Sequence, residues 1–235
     1  GRLAGEFGLE VRTAPPLPRY LETVSARVEE VCRHRKQSGG AGQFADVTVV
    51  LAPRGRGEGF AFDEAVKGGV VPRNFIPAVE EGAREALVRG PLGFAVTDVA
   101  VTLVDGKHHA VDSNDHAFRT AGRLAVKEAL AKAGPVLLQP VARVTVHVPS
   151  VHAGAIVTMM SALGGQVLGF DRDPAFRGWD EFRALLPEAA QEYLATALAS
   201  ATQGCGWFEA AFDHYEEVFG RDAERVLASV KAAQG

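Results

Sequence analysis

Chemistry in this chain concentrates in two polar stretches, Arg35-Lys36-Gln37-Ser38-Gly39-Gly40-Ala41-Gly42-Gln43-Phe44 and Asp105-Gly106-Lys107-His108-His109-Ala110-Val111-Asp112-Ser113. The first combines cations with too many glycines and too few apolar groups to be core. Such a loop lays backbone amides and positive charge against something anionic. The second carries paired histidines just ahead of a helix start. Between them runs Gly68-Gly69-Val70-Val71-Pro72-Arg73-Asn74-Phe75-Ile76-Pro77-Ala78-Val79-Glu80-Glu81-Gly82.

Enzymatic readings of these residues meet obstacles. His108, His109, Asp112, Asp115 and His116 offer imidazole and carboxylate, the ligand types of zinc, manganese or iron, on which a hydrolase could be built. Consecutive histidines on a strand, however, point to opposite faces. Asp112 and Ser113 fall where capping and the helix dipole already account for polar side chains. No metal site is therefore expected. Nor does the glycine loop follow the Gly-x-x-x-x-Gly-Lys-Ser/Thr pattern of a phosphate loop, because Gln43 and Phe44 supply neither the lysine nor the hydroxyl. No Gly-x-Ser-x-Gly elbow or Cys–His pairing is evident. No catalytic residue is assigned, and this part of the chain is expected to hold no cofactor.

The elements that must position the loops follow from hydrophobic periodicity. With 235 residues, 47% hydrophobic and 23% charged, the chain has room for one large domain or two ordinary ones. Residues 44–51 alternate as a strand, Pro77 opens a helix over 78–88, and 97–104 alternate again. Ser113 is the expected N-cap of a long helix over 114–133, whose small-residue face is Ala117, Ala121, Ala125 and Ala129. Gly134-Pro135 ends it. Beyond that come a strand over 141–148, a helix over 153–163, strands over 167–170 and 181–186, a helix over 189–200 and a strand over 207–212. This is the βαββαβ order of ferredoxin-like folds, so the class is α+β. A closing helix over 222–232 is expected to pack outside. A strand over 7–11 and the prolines Pro15, Pro16 and Pro18 read as the tail of a preceding domain and a linker.

The net charge of -4 is unusual for a dedicated nucleic-acid binder, so any RNA contact must be local, and Arg33-His34-Arg35-Lys36 is the candidate patch. Cys32 and Cys205 lie far apart, which argues against a disulfide or zinc site and fits a reducing cytoplasm. No apolar run approaches the roughly 20 residues that span a bilayer, and no signal-peptide pattern opens the chain. No membrane partner is expected.

The ordered set of loops resembles the fourth domain of elongation factor G, the GTPase that drives translocation on the ribosome. Arg19-Tyr20-Leu21-Glu22-Thr23 stands where that family writes an Arg/Tyr-Arg-Glu-Thr signature. Thr202-Gln203-Gly204-Cys205-Gly206-Trp207-Phe208 and Phe212-Asp213-His214-Tyr215 resemble the end of its fifth domain. The resemblance implies the tail of domain III over 1–18, then a domain IV-like βαβ domain with a left-handed crossover over 19–136. A ferredoxin-like domain V with a C-terminal helix would follow over 137–235. It implies a tip of Arg35, Lys36, Gln37, Ser38, Gly39, Gly40, Gly42, Gln43, Lys107, His108 and His109. That tip would enter the A site on the small side of the ribosome, against tRNA, mRNA and the decoding helices. Domain V would sit near the large-subunit factor-binding region, and GTP and Mg would belong to GTPase domains upstream. His109 falls where the family places an important histidine, able to stack on a base or bond a phosphate or 2′-hydroxyl.

Departures from the family pattern run mostly one way. The family's first tip reads Ser-Gly-Gly-Arg-Gly-Gln-Tyr-Gly; here Ala41 replaces the arginine, Phe44 the tyrosine and Ala45 the last glycine. Leu163-Gly164-Gly165 replaces Arg-Arg-Gly, and Ala199 and Cys205 stand where basic residues are usual. Each lost cation removes a phosphate contact, which favours a divergent paralogue working in recycling, rescue or special conditions. Lys107 and His108 replace Ser and Tyr and restore some basic character. If Arg33, Arg35, Lys36 and Lys107 all touch phosphates, about 0.7 per contact gives a salt slope of roughly 2 to 3. Two other readings stay open: a ribosome-independent protein-interaction module, and a metal-dependent hydrolase on His108, His109, Asp112 and His116.

Overall fold

The computed structural model describes residues 18–37, Gly40 and 42–234. The expected strand over 7–11, and Pro15 and Pro16, lie outside the described residues. Two compact units emerge, one of residues 20–139 with 214–234 and the other of 140–213 with residues 18 and 19.

The first unit contains β1 (Leu21–Val24), β2 (Val28–Lys36), β3 (Gln43–Pro53), β4 (Ala61–Glu64), α1 (Ile76–Leu87), β5 (Ala95–Val96), β6 (Val99–Lys107) and α2 (Asp115–Lys132). Its main sheet has the order β2-β3-β6-β4, antiparallel except for β4, which runs parallel to β6. Alternation along β3 and β6 sends Ala45, Val47, Val49, Leu51, Val99, Val101 and Leu103 fully into the core. Against them α2 lays Ala117, Ala121, Ala125 and Ala129, small enough for a close approach, with Phe118 filling the remaining space. Phe75 stacks on Phe118 at 4.8 Å. Helix α1 crosses α2 at Gly82 and Gly122. A methyl group at Gly82 would collide with the Arg119 carbonyl, and one at Gly122 would stand 2.8 Å from the Val79 carbonyl oxygen.

Burial also explains the Arg19-to-Thr23 stretch. Glu22 on β1 is buried and accepts the N–H groups of Leu92 and Phe94, both at 3.0 Å, tying that loop to the strand. Burial pushes its carboxyl pKa up in spite of those bonds. One expectation is corrected here. Asn114, not Ser113, caps α2: its backbone is extended and its side-chain oxygen accepts from the Ala117 N–H at 2.8 Å.

β7 (Pro135–Pro149) gives its first residues to the first unit, where they pair with β1, and residues 141–149 to the second. The second unit continues with α3 (Ile156–Ala162), β8 (Gln166–Arg172), β9 (Trp179–Pro187), α4 (Gln191–Ala201) and the first part of β10 (Trp207–Val218), whose residues from 214 on belong to the first unit. Strand order β10-β7-β9-β8 follows the βαββαβ sequence. Val144, Val146, Val148, Phe182, Ala184 and Leu186 bury one sheet face against Ile156, Met160, Leu194 and Leu198 of the helices. The helix expected over 153–163 opens as a 3-10 turn, Ser150–Ala155, before α3. α5 (Gly220–Gln234) packs Val226, Leu227 and Val230 with Tyr20, Leu137, Leu92 and Phe94. It therefore clusters with residues 20–139, whereas the sequence reading grouped it with 137–235. The reason lies in β10, which runs on past residue 212 to Val218 before the helix begins. Among the described residues no helix is long and apolar enough to cross a membrane.

Candidate functional site

The tip is assembled by strand register. Lys36 opposes Gln43 where β2 and β3 close into a hairpin, so Arg35, Lys36 and Gln37 project from one limb and Gly42 and Gln43 from the other. Gly40 is exposed, and Ser38 and Gly39 lie outside the described residues. On the far side of β3, β6 ends at Lys107, opposite Asp46. The histidines lie just beyond the strand, in the loop leading to α2.

That loop is clasped to the hairpin by hydrogen bonds. Phe44 N–H donates to the Asp112 carbonyl at 2.9 Å. Ser113 Oγ donates to the Phe44 carbonyl at 2.7 Å and accepts the His109 N–H at 2.8 Å. The N–H groups of Val111 and Asp112 point at His109 Nδ1 from 3.4 and 3.3 Å. The Asp112 carboxylate lies 3.3 Å from the same nitrogen, so the geometry fits either an unprotonated Nδ1 accepting those N–H groups or a protonated one facing the carboxylate. The His109 ring meets Phe44 edge-on, centroids 6.3 Å apart. His108 turns elsewhere: its Nδ1 lies 3.0 Å from the Val70 carbonyl, which ties the Gly68-to-Gly82 stretch to the same end of the unit. A Cβ on Gly42 would stand 2.6 Å from Asp112 Oδ1, so a side chain there would have to push the Asp112 carboxylate aside.

Around these contacts lies a cavity of about 240 Å³ lined by Arg35, Lys36, Gln37, Gly42, Gln43, Phe44, His109 and Asp112. Two cations, an imidazole, amides and an aromatic edge suit phosphate, sugar and base groups better than they suit bond-breaking chemistry.

Several expectations change. Arg33 pairs with the buried carboxylate of Asp46, Nε to Oδ2 at 3.0 Å, while its own side chain stays 62% exposed, so part of its charge is already balanced within the sheet. Lys107 is exposed but does not line the cavity. The metal reading of the histidines loses its geometry: His108 and His109 seek different partners, and His116 is exposed on the first turn of α2. Among the described residues the one metal-capable trio is His147, Asp173 and Glu181, in the other unit. There the side chains satisfy one another. His147 Nδ1 bonds Asp173 Oδ2 at 2.5 Å, and Glu181 pairs with Arg183. The bond from His147 holds the Asp173 carboxyl below its ordinary range, helped by the Ala175 and Phe176 N–H groups against burial.

Residues 19–134 match the family model described as elongation factor G, domain IV, and residues 136–226 match that of the elongation factor G C-terminus. The chain belongs to the elongation factor G family. An elongation factor G-like protein of Synechocystis sp. (strain PCC 6803) is 41% identical over 217 residues, 92% of this chain and 32% of that protein. A crystal structure from Thermus thermophilus matches with a TM-score of 0.84 and 34% identity, over 98% of this chain and 34% of that one. The chain thus spans about a third of the length of each. As a translation elongation factor family member, it carries the tip departures in different settings. Ala45 is fully buried, a change in the core of the domain IV-like sheet, whereas Phe44 lines the cavity beside His109.

Sequence reasoning assigned no tip role to Phe44, Ser113 or Val70, and gave Asp112 only a place near the helix start and in the metal alternative. Each stands within a stretch singled out above, but nothing local says that Ser113 bridges Phe44 and His109.

Proposed function

We propose that this chain is the ribosome-reaching arm of an elongation factor G-like GTPase. Its tip enters the A site on the small side of the ribosome, against tRNA, mRNA and the decoding helices. One observation carries the reading: segments far apart in sequence are clasped so that Arg35, Lys36, Gln43, Phe44 and His109 line one cavity. Family membership supports a ribosomal partner, with residues 140–213 directed to the large-subunit factor-binding region. GTP and Mg belong to upstream GTPase domains in this reading, and the protein works in the cytoplasm. The arm's action is steric and mechanical: a clasped tip holds its shape while the GTPase cycle moves it. Loss of basic residues at Ala41, Leu163, Ala199 and Cys205 supports a paralogue acting in recycling or rescue instead of routine translocation.

With the charge of Arg33 already balanced by Asp46, the cations counted for phosphates are Arg35, Lys36 and Lys107. At about 0.7 per contact the salt slope is about 2, a loss of about 20-fold between roughly 50 and 200 mM salt. The test is ribosome pelleting of the complete parent protein with a non-hydrolysable GTP analogue, then chemical footprinting of the decoding region. Protection there that disappears with His109→Ala is the expected result. No pelleting at low salt would leave the fold without its ribosomal role.

A further inference from the structure

The second unit carries an aromatic corner that the tip reading leaves unused. Trp207 opens β10 and lies flat on His147 of β7, ring centroids 4.1 Å apart and planes 13° apart. His147 is itself fixed: it is buried and bonded to Asp173, whose other oxygen accepts the N–H groups of Ala175 and Phe176. One face of Trp207 is thereby backed by an anchored ring, while the residue keeps 39% of its surface exposed. Phe176, also exposed, meets Trp207 edge-on at 6.5 Å. The corner stands on the sheet face that α3 and α4 leave uncovered, since His147 alternates with Val146 and Val148 of the helix-covered core.

Charge narrows the ligand. Carboxylates of the adjoining strands and turn are engaged, Asp171 and Glu181 with Arg183, Asp180 with Arg172, and Asp173 with His147, while Glu209, two residues along β10 from Trp207, stays exposed. Arg177, on the turn beside Phe176, is exposed and has no hydrogen-bond or ion-pair partner among the described residues. An open aromatic face, a second ring at its edge and an uncommitted guanidinium form the set with which proteins hold unpaired bases, stacking the base and pairing its phosphate. We propose that Trp207, Phe176 and Arg177 form a stacking seat for an unpaired base of single-stranded RNA, separate from the tip. A duplex is not the ligand, because its base faces are already stacked on each other.

The sequence has two tryptophans, so the 235-residue chain carrying Trp179→Phe reports on Trp207 alone. Titration with a single-stranded RNA of about ten nucleotides at roughly 50 mM salt is expected to quench its emission. Arg177→Ala should weaken the isotherm and lower the salt slope by about 0.7. Arg35→Ala with Lys36→Ala in the tip should leave the quenching in place, which keeps the seat distinguishable from the tip. In that tip-neutralised chain, labelled-RNA anisotropy should show Trp207→Leu binding about 5- to 150-fold more weakly, the equivalent of one lost stacked base. Absence of quenching, equal quenching by a duplex of the same sequence, or an unchanged affinity for Trp207→Leu would each overturn the proposal.

Discussion

Removing one hydroxyl tests whether the tip is a built assembly or two neighbouring loops. Ser113 Oγ stands 2.7 Å from the Phe44 carbonyl and 2.8 Å from the His109 N–H, joining residues 69 positions apart to a partner only four away. Each such bond contributes about 0.5–1.5 kcal/mol net. The Phe44 carbonyl is part-buried and loses its donor, while the His109 N–H is exposed and regains water. Ser113→Ala should therefore cost about 1–2 kcal/mol. For a unit of this size that corresponds to a fall in Tm of about 3–7 °C. Thermal melts of the 235-residue chain, with amide exchange at His109 as a local readout, measure it. Ser113→Thr keeps a hydroxyl and should restore most of the loss. A fall below about 1 °C with unchanged exchange at His109 would refute the clasp; so would a threonine variant as unstable as the alanine one.

Three further outcomes follow from the packing and charge. Asn114→Ala should cost about 1 kcal/mol through the lost cap of α2, read by thermal melts; a neutral result would hand the capping role back to Ser113. Gly82→Ala sets a helix-propensity gain of about 1 kcal/mol against overpacking of about 1–3 kcal/mol. Because the obstacle is the Arg119 backbone carbonyl and not a movable side chain, destabilisation should win, and a raised urea midpoint would contradict that. Asp98 is buried, which alone would raise its carboxyl, but the Gly59 and Gly57 N–H groups and the Arg56 guanidinium outweigh burial and lower it. A depressed folded pKa means a contribution complete above the unfolded value of about 3.9 and lost as pH falls through the folded one. Asp98 sits at φ 57°, a region asparagine also tolerates. Asp98→Asn should therefore flatten the loss of stability below about pH 4, and an identical acid profile would remove Asp98 from that account.

Much of the architecture was legible from periodicity. Alternating Val47, Val49 and Leu51 announced a core strand, and Ala117, Ala121, Ala125 and Ala129 announced the face on which α2 lies, because side-chain direction repeats with fixed periods along strands and helices. Glycine, histidine and lysine at a loop end likewise declared a polar tip in the sequence itself. Local pattern could not choose between adjacent polar residues, so Ser113 and Asn114 exchanged roles. Either can cap a helix, and only the nearby Phe44 carbonyl drew Ser113 away. Nor could it show that Asp46 would claim Arg33, that β10 would run on to Val218 and bring α5 to Tyr20 and Leu137, or that Trp207 would settle on His147. The amino-acid order by itself determined the main core strands and helices, though not the short strands β1, β4 and β5, and what kind of group the tip offers. Tertiary structure alone decided which of those groups remain available, because hydrogen bonds and ion pairs are allotted between segments that only folding brings within about 3 Å.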